Sequence, residues 1–108
     1  MPRPRMFRRV AFNPSVSYFK PAGIGLRHLA EVSLLHEEFE ALRLCDFLGK
    51  EQKECAKEMH VSQPTFNRVL REARRKIADA LTNGKAIRIN LVPLPNSSFS
   101  QESDNSES

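Results

Sequence analysis

Gln63, Thr65, Asn67, Arg68 and Arg71 stand close together in the chain, followed at once by Arg74, Arg75 and Lys76. The first group can read the edges of bases. An arginine bonds bidentately to guanine, Asn or Gln bonds to adenine, and a threonine offers hydroxyl or methyl, each good bidentate contact discriminating by about 1–3 kcal/mol. The second group supplies charge without that selectivity, which suits phosphate oxygens. At helical spacing Arg68, Arg71 and Arg75 fall opposite an apolar stripe of Phe66, Val69, Leu70, Ala73, Ile77, Ala80 and Leu81. A solvated basic face is the bland reading, and the neighbouring elements decide against it.

Those neighbours predict a helix, a tight turn and a longer helix. Cys55, Ala56 and Met59 give a short helix over 51–59, with Glu51, Glu54 and Glu58 outside and Lys53 and Lys57 beside them. Val61 makes an apolar turn, and Ser62 is an N-cap whose hydroxyl can accept from the Thr65 N–H, with Pro64 in the first turn. Asn83-Gly84 ends the long helix, because both residues tolerate a left-handed backbone. A short helix that crosses a DNA backbone and braces a second one, whose first turns enter the major groove, needs this order. Upstream, a helix over 35–48 carries two stripes, Leu35, Phe39 and Leu42 on one and Ala41, Leu44 and Leu48 on the other. The second stripe has room for the N-terminal segment or a second subunit. Downstream, Ile87, Ile89 and Leu91 alternate with Arg88 and Asn90, which reads as a strand able to pair with Arg8-Arg9-Val10-Ala11-Phe12.

The 108 residues suffice for one small domain, and a net charge of +4 hides a segregated distribution. Successive blocks 1–30, 31–60, 61–90 and 91–108 carry +6, −4, +5 and −3. Local positive surface of this kind suits a polyanion. Residues 1–20 form a basic arm in which Arg3, Arg5, Arg8 and Arg9 can follow phosphate or the minor groove, residues 21–92 the folded domain, and residues 93–108 an acidic, serine-rich disordered tail.

Other chemistry finds little support. Gly23-Ile24-Gly25 has His28 where a dinucleotide fingerprint needs its third glycine, so it reads as a loop. His28, His36, His60, Cys45 and Cys55 lack zinc-ligand spacing, and the two thiols read as reduced core residues. No nucleophile, base and acid stand in a motif, so neither an enzyme nor a cofactor is expected. No apolar run approaches the roughly 20 residues that span a bilayer, which implies no membrane partner and a cytoplasmic location.

The strings MPRPR, RRV, YFKPAGI, EEFEALRLCDFLGKEQKECAKEM, VSQPTFNRVLREARRKIADAL and NGKAIRI together resemble a family of small, uncharacterised prokaryotic proteins predicted to bind DNA, with a helix-turn-helix similar to region four of bacterial sigma factors. The resemblance covers most of residues 1–89. The chain departs from that family's pattern at Phe7 and Ala11, where many relatives have cysteines, so no metal or redox role is carried over to the arm. The expected fold is mainly α: a sigma region-four-like helix-turn-helix with a winged-helix-like three-helix core and a short β element. The expected function is sequence-specific regulation of transcription on double-stranded DNA. One helix reads only a few base pairs, which favours a homodimer. The alternative is a module that docks on RNA polymerase or another regulator without reading DNA. RNA binding lacks the exposed aromatics that stack on bases.

Overall fold

Pro21 and Gly23 turn the chain between a two-residue strand β1 (Tyr18–Phe19) and a second strand β2 (Glu31–Leu35), with a single 3-10 turn at Leu26–His28 on the way. These elements belong to a computed structural model that describes residues 13–92. Arg3, Arg5, Arg8 and Arg9, the strand expected at 8–12 and the tail from 93 lie outside the described residues.

β2 replaces what periodicity assigns to the start of a helix. Val32 and Leu34 are buried while Glu31, Ser33 and Leu35 are exposed, the alternation of a strand with one covered face. The chain then enters helix α1 (His36–Ala41) with no intervening loop: Leu35 is extended at φ −69° and ψ 153°, and its N–H donates to Glu38 Oε1 at 2.9 Å. From Leu42 to Phe47 the helix widens to π spacing, and Leu48 N–H closes it by donating to Arg43 O at 2.9 Å. Helix α2 (Gln52–Glu58) and helix α3 (Gln63–Asn83) follow, then strand β3 (Ala86–Asn90).

β3 is the middle strand, antiparallel to β1 and parallel to β2. A parallel pair needs a long crossover, and the three helices supply it. Among the described residues β1 and β2 are the partners of β3, and the partner expected at residues 8–12 lies outside them. Val32, Leu34 and Ile89 face the helices. On the other face Arg88 donates to Glu31 at 3.0 Å and lies 4.5 Å from the centre of the Tyr18 ring, and Tyr18 Oη donates to the same carboxylate at 3.0 Å.

The core has two parts joined by α3. Ala41, Leu44, Cys55, Ala56, Met59, Phe66, Val69 and Leu70 fill the space among the helices, whereas Leu34, Ala73 and Ile89 lie between helices and sheet, with Phe39, Leu42, Ile77 and Ile87 beside them. Two expectations need correction here. The stripe of Ala41 and Leu44 is covered by α2 and α3, not by the arm or a second subunit, and Leu48 lies outside it, exposed. Leu81 leaves the α3 stripe altogether at 77% exposure, because the sheet packs on the other side of the last turns, where Ala80 is buried. The architecture is mainly α with a small three-stranded sheet.

Candidate nucleic-acid interface

The turn between α2 and α3 is closed by hydrogen bonds that wrap the end of α2. His60 N–H donates to Lys57 O at 3.1 Å and Val61 N–H to Ala56 O at 3.0 Å, with His60 left-handed at φ +59°. This is a Schellman ending with histidine where glycine is usual. Ser62 then caps α3: its Oγ accepts from the Thr65 N–H at 3.3 Å and donates to Thr65 Oγ1 at 2.9 Å. At the other end Gly84 is left-handed at φ +65°. Buried Met59, Phe66 and Leu70 lock the two helices together from inside.

That frame exposes Gln63, Arg68 and Arg71 on the first half of α3. Thr65 is half-buried, its hydroxyl engaged by Ser62. Asn67 is half-buried as well, with Oδ1 enclosed and without a hydrogen-bond partner among the described residues, so that oxygen is not offered to an outside ligand. Neither Arg68 nor Arg71 makes an ion pair among the described residues.

The second half of α3 differs in that its cations are paired. Arg74 clasps Asp46 at 3.1 and 2.6 Å, and the guanidinium holds the Asp46 carboxyl below its ordinary range. Arg75 forks onto Glu72 at 3.1 and 2.6 Å. Lys76 points to the sheet side, where its Nζ donates to Ser33 O at 2.7 Å and to Glu38 Oε1 at 2.8 Å. Its side chain is 18% exposed and that of Glu38 only 5%. Of the seven residues assigned to phosphate by position in the sequence three lie on α3: Lys76 is a fold contact, and Arg74 and Arg75 already share their charge. The arm's four arginines lie outside the described residues.

The acid-rich segment holds two cations that reasoning from block charge passes over. Lys53 and Lys57 are exposed on α2, four residues apart and thus on one face. Their i,i+4 spacing was the available signal. Lys50, by contrast, is tied to Glu58 at 2.5 Å.

Metal and thiol chemistry have no comparable arrangement. Among the described residues no group of three or more His, Cys, Asp or Glu side chains could hold a metal ion. His36 is buried and its Nδ1 accepts from the Val92 N–H at 3.0 Å, a structural clamp on the chain after β3. Burial pushes the Cys55 thiol up to about 11, which keeps it protonated, and Cys45 is half-buried beside the same core. No helix among the described residues is long and apolar enough to cross a membrane.

Comparison with known proteins gives kinship without an activity. Residues 1–91 match a family described as a protein of unknown function, DUF134. A UPF0251 protein of Moorella thermoacetica is 61% identical over 89 residues, which are 82% of this chain and 60% of that protein. A UPF0251 protein of Caldanaerobacter subterraneus subsp. tengcongensis is 60% identical over 89 residues, 82% of this chain and 75% of its own. One of Dehalococcoides mccartyi is 57% identical over 89 residues, covering 82% and 76%. The matched region thus spans well under two thirds of the Moorella relative and about three quarters of the other two. No solved structure matches the chain.

Proposed function

The chain belongs to the family of unknown function DUF134, and from the geometry of α2 and α3 we propose that it is a sequence-specific DNA-binding transcriptional regulator whose α2, turn and α3 act as a helix-turn-helix of the sigma region-four type. In this reading α3 enters the major groove by its N-terminal half. Gln63, Arg68 and Arg71 meet base edges and Thr65 contributes its methyl group, whereas the enclosed Oδ1 of Asn67 takes no part. Lys53 and Lys57 on α2 meet the phosphates that flank the groove, and the positive end of the α3 dipole adds to the same field. Arg3, Arg5, Arg8 and Arg9 extend the contact along the backbone.

One observation carries the reading. Among the described residues the cations of α3 free of ion pairs, Arg68 and Arg71, are exposed in its first half, and the cations further along are each engaged by an acid of the same fold. A merely solvated basic face has no reason to be divided in this way, whereas a helix that inserts its tip needs its free charge there and its remainder anchored. The test is selection of bound fragments from a genome of an organism carrying the chain, followed by footprinting. Enrichment of a common motif, protected at a few adjacent base pairs, is expected. Binding with no sequence preference at any salt concentration would overturn the reading and favour the docking module.

A further inference from the structure

On the side of α3 away from Arg68, an open apolar groove of about 720 Å³ runs between sheet and helices, lined by Phe19, Leu34, Phe39, Phe47, Ile77 and Ile89 among others. Its rim holds a large exposed aromatic, since Phe47 is 81% exposed, and Leu48 beside it is exposed too. A phenyl ring held in water next to an apolar hollow is the mark of a surface that is covered by another molecule.

The charges at the rim narrow what that molecule is. Arg43 and Asp46 both line the groove, and both are satisfied inside the fold: Arg43 forks onto Glu40 at 3.0 and 2.8 Å, and Asp46 takes both bonds from Arg74. Among the described residues the rim is thus neutral, in a chain of net charge +4. Among those residues it offers no unpaired charge to a charged ligand, and it is a place where two equally positive molecules meet without repulsion. The patch also carries knob and hole together, Phe47 and the groove. An isologous two-fold contact joins a surface to itself, so each Phe47 enters the groove of the other copy and two identical contacts form at once.

We infer that this groove is the interface of a homodimer, with Phe47 of each subunit seated in the other's groove. Ile77 lies about half a turn of helix from Arg68, at about 100° per residue, so pairing here leaves Arg68 and Arg71 open on both subunits. Two copies of α3 are then carried by one assembly. The inference concerns a different face from the proposed DNA contact and stands or falls separately from it.

Sedimentation equilibrium of the full chain without DNA tests it. The parent is expected to show a mass that rises from monomer to dimer across the micromolar range. Phe47→Glu and Phe47→Ser are expected to stay at monomer mass with unchanged circular dichroism, since the ring is exposed in the single chain, and to lose the rise of melting temperature with concentration that a dimeric parent shows. Phe47→Trp should still dimerise, with emission moving to the blue as concentration rises. A parent that stays monomeric throughout overturns the inference, as does a Phe47→Glu variant that still dimerises. If only a chain lacking residues 1–12 dimerises, the groove holds the chain's own arm and the inference is wrong. A monomeric parent that still footprints a motif refutes the dimer and leaves the DNA reading intact, whereas a dimer without sequence preference does the reverse.

Discussion

The two halves of α3 share one helix and a similar density of basic residues, yet they hold their charge differently. At the start, Arg68 and Arg71 are exposed and free of ion pairs among the described residues; further on, Arg74, Arg75 and Lys76 are engaged by Asp46, Glu72 and Glu38. The difference teaches that charge in a sequence is not charge available to a ligand. It also separates two kinds of consequence, stability for the second half and binding for the first, and substitutions can drive the two apart.

Lys76→Ala should show the largest effect. It strips Glu38, nearly buried, of its counter-ion and leaves Ser33 O without that donor, so a loss of about 3 kcal/mol in unfolding free energy is expected by urea denaturation. The folded fraction should bind DNA as the parent does. A stable variant with weakened binding would place Lys76 on the DNA instead.

Arg68→Ala and Arg71→Ala should behave in the opposite way. Both residues are exposed, so stability should move by no more than about 0.5 kcal/mol. Each should weaken binding to the selected motif by about 1–3 kcal/mol and relax preference at one position, read by titration on single-base variants of the motif.

Smaller effects refine the comparison. His60→Gly removes the strain of a left-handed non-glycine residue in the turn before α3, and should stabilise the fold by about 1 kcal/mol, measured as a higher melting temperature. Arg74→Ala and Asp46→Asn break an exposed pair and should each cost at most about 1 kcal/mol. That pair has a pH signature. The Asp46 pKa is depressed in the fold, so its contribution is complete above the unfolded value and is lost as pH falls through the depressed one. Asp46→Asn should therefore flatten the acid limb of the stability profile, and an unchanged limb would show the pair to be idle.

Much of α3 was legible in the sequence because its signals are local. The Ser62 cap, Pro64, the apolar stripe and Asn83-Gly84 lie within the element they define, and the helix observed is Gln63–Asn83. The strand after it was legible by alternation and came out as Ala86–Asn90. β2 was not, because Leu34 and Leu35 run into His36 with no turn residue between, so a strand residue joins the helical pattern. The π-helical widening at Leu42–Phe47 has no signature in residue types. Nor was the division of charge on α3 legible throughout. Arg75 meets Glu72 three residues away, but Arg74 meets Asp46 across 28 positions and Lys76 meets Glu38 across 38, and only the folded chain brings those partners together.

The central claim is that free charge at the start of α3 reads DNA, and one measurement reaches it most directly. The parent and the double variant Arg68→Ala with Arg71→Ala are titrated against the selected motif and against scrambled DNA over a series of salt concentrations. The account predicts that the double variant keeps its fold and loses the preference for the motif over scrambled DNA, with a shallower dependence of log K on log salt if either arginine also neutralises phosphate. A double variant that still prefers the motif as strongly as the parent would contradict it.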